Sequence, residues 1–264
     1  MRSDAERGLL LDSIESCVRS ARKQRGYDDA IVVANMRTAS SFLIDSLGSH
    51  SDISAFDGEV LLPGSPWREK GDDNAEVLTR YYSQASLSVL CAKVTYVQVG
   101  PHVLDFISAN DLKVMHLTRD NVLRLAFSAA VNMHTEDPRY GHICEGDDRP
   151  EMPHFDVDPA WFMKRAQRND RNQVRMRELL DDMPNEVLHL TYRDVVGGEG
   201  RDAEGVLEET VREICDFLGV PYGPLISDRR KSNPWPMSEV VANWDDVKEA
   251  ISHSKYMALL QEIR

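Results

Sequence analysis

The chain has 264 residues and carries 31 Lys and Arg against 44 Asp and Glu, a formal net charge of −13 that argues against a general binder of nucleic-acid backbones. At 42% hydrophobic and 28% charged, with 15 Gly and 12 Pro, its composition is that of an ordinary soluble globular protein and rules out disorder, collagen and coiled coil. The length fits one large domain or two small ones, of which a single domain over 1–264 is the expectation, and Cys17, Cys91, Cys144 and Cys215 lie too far apart for a CxxC pair or a compact disulfide framework.

This cysteine usage predicts a reducing compartment. The N-terminal sequence MRSDAERGLLLDSIESCVRS has no secretory apolar core, because Asp12 and Glu15 interrupt it. No run of 18 apolar residues occurs, so the expectation is a cytoplasmic protein without a membrane span. Leu10, Ile14, Cys17, Val18 and Ala21 recur at three- and four-residue spacing and predict a helix at 4–23, within an N-terminal segment 1–28 and ended by a turn at Gly26. An apolar run at 30–34, a polar bend, and a periodic segment with Phe42, Leu43 and Leu47 predict strand, loop and helix. Further strands are predicted at 89–97 and 113–117, with helices near 101–110 and 122–133. Residues 134–159 are rich in Asp, Pro, Gly and His without periodicity, the pattern of a long functional connection. A charged helix at 159–182, a strand at 187–190, a helix at 204–218 and a closing helix at 245–263 complete the order. Alternating strands and helices imply βαβ units, hence an α/β three-layer fold with a central, mainly parallel sheet flanked by helices.

The segment AIVVANMRTASSFLIDSLGSH, residues 30–50, is the most informative. A buried strand feeding a polar loop into a helix N-terminus aims backbone N–H groups and the positive end of the helix dipole at one point, which suits phosphate or sulfate. Arg37 adds a positive fork, and Thr38, Ser40 and Ser41 add hydroxyl donors. The same residues also read as an ordinary helix capped by Ser40 or Ser41, with Arg37 in solvent. The GxxxxGK[ST] loop of nucleotide triphosphatases is absent. In LKVMHLTRDNVLRLAFSAAVN, Arg119 follows a strand and Ser128 lies in the next helix; Arg119 reads either as a ligand-binding residue or as a surface partner of Asp120. The two segments together place a strand-end arginine before each of two helices at the carboxyl edge of one sheet, where open α/β folds bind ligands. Lys93 is unusual inside the apolar strand LCAKVTYVQ, because a buried lysine needs a partner.

ANMRTASSFLIDSLGSH resembles the 5′-phosphosulfate loop of sulfotransferases that use 3′-phosphoadenosine-5′-phosphosulfate (PAPS), and KVMHLTRDNVLRLAFS resembles their 3′-phosphate segment. FDGEVL, LHLTYRDVV with ICDFLGVPY, and KSNPWPMSEVVANWDDV are similar to further stretches of the bacterial, nodulation-factor-sulfotransferase-like branch, in the family's order. The resemblance runs from about residue 30 to the C-terminus and implies a P-loop-like fold. It implies that Arg37, Thr38, Ala39, Ser40 and Ser41 hold the 5′-phosphosulfate, with Arg37 near the oxygen that leaves sulfur. It gives the 3′-phosphate to Arg119 and Ser128, with further contacts from Arg230 and Lys231. Met36 stands where a proline is common, and Ala39 where the family has a loop glycine, whose lack of a Cβ allows closer backbone approach. Glu59 aligns with the glutamate that accepts the acceptor's proton in many bacterial members; His50 is the rival base, being poised near neutral pH. Lysine is frequent in the family at the position of Lys93, which implies a place at the sulfuryl site.

The expected activity is therefore transfer of a sulfuryl group from PAPS to a hydroxyl or amine of a small-molecule or carbohydrate acceptor by in-line displacement, releasing adenosine 3′,5′-bisphosphate (PAP) and needing no metal. The segment 134–159, with Trp161 and Phe162 behind it, is the expected acceptor-facing loop. The alternatives are a P-loop-related nucleotide kinase and a non-catalytic nucleotide-binding protein of the same fold. Two patterns are set aside: GEGRDA at 198–203 matches a dinucleotide fingerprint but stands apart from its strand, and His134, His142 and Cys144 lack a fourth zinc ligand at a recognised spacing.

Overall fold

The computed structural model describes residues 27–263 except 57–58, 85, 87, 141–142 and 199–204. The helix expected at 4–23 and the turn at Gly26 lie outside the described residues, as do His142 and most of GEGRDA.

The sheet is built on β1 (Ala30–Ala34), whose unbroken AIVVA run is buried on both faces, as a central parallel strand requires. Around it are β2 (Ile53–Ala55), β3 (Val89–Thr95), β4 (Lys113–Thr118) and β6 (Val187–Thr191), in the order β2-β3-β1-β4-β6 with every pairing parallel. Alternation along β1 separates the two faces. Ala30, Val32 and Ala34 pack with α1 (Ser40–Gly48), α6 (Tyr192–Val196) and α7 (Glu208–Leu218), while Ile31 and Val33 pack with α2 (Asn74–Tyr82) and α3 (Pro101–Ala109). A third cluster joins α4 (Val122–His134) and α5 (Pro159–Asp181) to α8 (Met237–Val240) and α9 (Trp244–Ser252). The expected three-layer α/β architecture is therefore present. No helix among the described residues is long and apolar enough to cross a membrane.

Several boundaries differ from the sequence expectation for local reasons. The closing helix breaks after Ser252 and resumes as a 3₁₀ stretch at Met257–Ile263. In the break Ser254 donates its hydroxyl to the Ile251 carbonyl (2.7 Å) and accepts from the Tyr256 N–H (3.1 Å), a side-chain alternative to helical bonding. The helix expected from 204 starts at Glu208, because Val206 N–H donates to the Leu225 carbonyl (2.9 Å) and Gly205 bridges Ile226. Helix α2 was not expected at all, although Asp73 and Glu76 form a reciprocal capping box at its start. The aperiodic segment after α4 is fastened down by β5 (Ile143–Cys144), which pairs antiparallel with β7 (Arg229–Arg230), and by a bridge from Phe155 to Val241.

On the α2–α3 face, buried His116 of β4 contacts the Tyr96 hydroxyl through Nε2 (2.6 Å) and His189 Nδ1 through Nδ1 (3.0 Å), and His189 reaches Asp181 (2.7 Å). Burial, then the charges of His189 and Arg177, push His116 down to about 4 despite the opposing pull of Asp181.

From β1 the chain passes to β2 on one side, and from β3 it crosses to β4 on the other. The loops after β1 and β4 thus diverge at the carboxyl edge and leave a crevice at a topological switch point.

Candidate functional site

The loop after β1 enters α1 through a strained turn. Arg37 (φ 71°) and Ala39 (φ 66°) both adopt the left-handed conformation, which costs a non-glycine residue about 1–2 kcal/mol. Ala39 is the N-cap, no side chain caps the helix, and no acid occupies its first turn. Ser40 and Ser41 are the first helical residues, so the reading of a serine-capped helix does not hold. What remains is a first turn whose backbone N–H groups and dipole are available to an anion.

Arg37 is not in solvent either. Its Nε donates to Ser128 Oγ (2.7 Å), and Nη2 donates to the Tyr140 carbonyl (2.8 Å) and to Ser232 Oγ (3.3 Å). With its amide oxygen turned toward the donors, Asn233 accepts from Ser128 Oγ (3.0 Å) and Arg37 Nη2 (3.2 Å). The resemblance set Arg37 beside the leaving oxygen and Ser128 at the 3′-phosphate; the structure joins these two side chains directly. Arg119 donates through Nη1 to the Arg37 carbonyl (3.0 Å) and lies 4.0 Å from the Tyr192 ring centroid, while its backbone N–H and carbonyl are clamped by the Gln173 amide. Arg119 is thus buried in the crevice and does not take the surface pairing with Asp120. Burial and the like charge of Arg119 push the Arg37 guanidinium down to about 10, which leaves it charged at neutral pH.

A second group gathers at the N-terminal end of α1. Lys93, level with Val32 in the β1–β3 register, is buried and donates through Nζ to Ser41 Oγ (3.0 Å). The same Nζ lies 3.9 Å from Glu59 Oε1. Glu59 Oε2 accepts from Gln98 Nε2 (3.1 Å), and Gln98 Oε1 accepts from the Thr95 N–H (2.7 Å) and hydroxyl (2.8 Å). The cation beside Glu59 is therefore Lys93, because the Arg37 side chain runs to Ser128.

These groups line one cavity of about 320 Å³, at the lower end of the range for small-molecule sites. Arg37, Ala39, Ser40, Ser41, Glu59, Arg119, Ser128, Arg230 and Lys231 all contribute to its wall, and Lys93 supports it from behind Ser41. Among the described lining residues the acid is Glu59, while Arg124 and Arg229 add further positive charge. A protein of net charge −13 has concentrated cations here. Arg230 also pairs with Glu145 across the β5–β7 ribbon (2.8 Å). The donor set fits a ligand bearing more than one anionic group.

Three expected site residues are not on the wall: Lys93, which lies behind Ser41, Thr38 and His50. Thr38 is wholly buried, and its hydroxyl donates to the Asn35 carbonyl (2.8 Å), so it shapes the loop from within. His50 sits at the opposite end of α1, where Nδ1 accepts from the Asp52 N–H (3.1 Å) and Nε2 meets the Pro221 carbonyl (3.0 Å). Those partners commit both ring nitrogens and remove His50 as a base for this cavity. His134 stacks on Phe155 (4.4 Å between ring centroids), and no metal-holding group of three or more His, Cys, Asp or Glu occurs among the described residues.

Sequence reasoning passed over Gln98, Arg124, Tyr192, Ser232 and Asn233. Arg124, Tyr192, Ser232 and Asn233 lie inside the stretches that carry the family resemblance, and their proximity to motif residues was the available signal. Gln98 carried no signal, since only the fold of the turn after β3 brings it to Glu59. No protein-family model matches the sequence, and no curated protein gives a significant match.

Proposed function

We propose that this protein is a PAPS-dependent sulfotransferase acting on a hydroxyl or amine of a small-molecule or carbohydrate acceptor. The observation that carries the reading is the meeting, in one cavity, of an uncapped helix N-terminus, the Arg37–Arg119–Ser128 group, and Glu59 beside Lys93. In this reading Arg119, Ser128, Arg230 and Lys231 bind the 3′-phosphate, with Arg37 fixing Ser128 and adding charge to that wall. The α1 N-terminus, with Ser40 and Ser41, binds the 5′ side.

Glu59 takes the acceptor's proton as the acceptor oxygen or nitrogen bonds to sulfur and the sulfur–oxygen bond to the phosphate breaks; a moderate base suffices because the proton becomes acidic only as the new bond forms. Lys93 and the helix N–H groups stabilise the charge that spreads onto the leaving phosphate, so catalysis is positioning plus electrostatics, as in phosphoryl transfer. Cationic side chains thereby serve the role that a metal serves elsewhere.

The test is transfer of label from sulfur-labelled PAPS to a panel of sugars, phenols, alcohols and amines in the presence of EDTA. Acceptor-dependent labelling with stoichiometric PAP release is the expected result. Strict magnesium dependence with ATP as the preferred donor would support the kinase alternative instead.

A further inference from the structure

Gln98 lies in the turn after β3 and is held there from several sides. Its backbone N–H donates to the Thr95 carbonyl (2.8 Å), its carbonyl accepts from Asn74 Nδ2 (3.0 Å), and Asn74 Oδ1 in turn accepts from Arg68 (2.6 Å). The amide orientation is determined as well. The Thr95 backbone N–H is an obligate donor, so the group facing it must be Oε1, and Nε2 must point the other way. In that direction, 3.1 Å off, is Glu59 Oε2. Glu59 itself comes from an irregular stretch between β2 and α2, where its backbone is tied by the bond from the Leu62 N–H to its carbonyl (3.1 Å). Its side chain is thus fixed by two contacts from the β3 side: the Gln98 amide on one oxygen and the Lys93 ammonium near the other.

From this geometry we infer that Gln98 is the positioning residue for Glu59, setting the plane of its carboxylate. The base role of Glu59 rests on the reading proposed above; the coupling between Gln98 and Glu59 does not. A base must meet its proton donor within hydrogen-bond reach, and an unanchored side chain on a loop would spend much of its time elsewhere. The Lys93 ammonium, 3.9 Å away and bonded to Ser41, leaves orientation to Gln98.

The experiment is an NMR comparison of the full chain at one neutral pH, with glutamate side-chain carboxyls and glutamine side-chain amides labelled, the Glu59 and Gln98 signals being identified by their loss in Glu59→Gln and Gln98→Met. In Glu59→Gln the Gln98 side-chain amide protons should move, and in Gln98→Met, which keeps length and removes the donor, the Glu59 carboxyl signal should move in turn. Thermal melting of each variant reports whether the fold is retained, and a Gln98 amide unmoved in folded Glu59→Gln, or a Glu59 carboxyl unmoved in folded Gln98→Met, would overturn the inference. Should the variants not fold, the Gln98 side-chain amide protons of the wild type should exchange with solvent more slowly than those of exposed glutamines; exchange at the exposed rate would overturn it equally. Calorimetric titration of the wild type with PAP separates the two readings. Coupling without PAP binding removes the sulfotransferase proposal, and PAP binding without coupling removes the role of Gln98.

Discussion

At its N-terminal end helix α1 begins on a left-handed Ala39 with no side-chain cap; at its C-terminal end Ser49 and His50 satisfy the backbone at once. Ser49 donates its hydroxyl to the Ser46 carbonyl (2.6 Å) and accepts from the Ile226 N–H (3.0 Å), and His50 spends both ring nitrogens on Asp52 and Pro221. One helix thus carries a closed end and an open end. Local strain and missing caps cost stability, and they persist where surrounding structure holds them in place. Here the open end faces Arg119, Lys93 and Glu59, and at the closed end His50 is buried against Pro221 and Gly223.

The largest expected effect separates the two sequence-level candidates for the base, one near each end. Glu59→Gln should lower turnover by roughly 10² to 10⁴ while leaving PAP affinity nearly unchanged, whereas His50→Gln should leave turnover intact and cost about 1 kcal/mol of stability. Loss of turnover in the His50 variant alone would reverse the assignment of the ends.

The next effect is on stability against pH and lies on the sheet face away from α1. His116 titrates near 4 in the fold against 6.5 unfolded, so below pH 6.5 the unfolded chain takes up a proton that the folded chain refuses. Stability should fall by about 1.4 kcal/mol for each pH unit from 6.5 down to about 4 and be flat on this account outside that window. Urea unfolding at stepped pH checks this, with His116→Gln predicted to remove most of the slope.

Two smaller changes probe the ends directly. A Cβ on Gly223 would lie 2.8 Å from His50 Nε2, so Gly223→Ala should lower stability by about 1–3 kcal/mol without weakening PAP binding. Ala39→Gly should raise stability by about 0.5–1 kcal/mol, because glycine relieves the left-handed conformation and returns part of that gain as unfolded-chain entropy. Denaturant midpoints for the pair would break the comparison if Ala39→Gly destabilised or Gly223→Ala abolished binding.

The sheet was readable because its strands are short apolar runs at regular spacing. AIVVA at β1 and the strand ending at Thr118 announced themselves by composition, and the arginine after each followed from position alone. β2 was not readable, since Ile53–Ala55 is too short to display alternation. Helix α2 was missed although Val77, Leu78, Tyr81 and Tyr82 recur at helical spacing and its Asp73–Glu76 capping box was present in the sequence.

At the site, residue identity was legible and direction was not. Arg37 was recognisable as a site residue, but its reach toward Ser128 depends on a positive φ that no arginine announces. His50 invited a catalytic reading by its chemistry alone, and its place beneath Gly223 is a tertiary fact. Lys93 drew notice as a charge in an apolar strand, and Ser41 and Glu59 provide the partners that its burial requires.

The proposed function requires the cationic cavity at the open end of α1 to take a 3′-phosphorylated adenosine nucleotide. Calorimetric titration with PAP, with ATP plus magnesium as the comparison and Arg119→Ala as the control, tests it most directly. The expected result is tight, metal-independent PAP binding that weakens by roughly 100-fold in Arg119→Ala, the loss of about two charge-assisted hydrogen bonds. Absence of PAP binding beside clear binding of magnesium–ATP would contradict it.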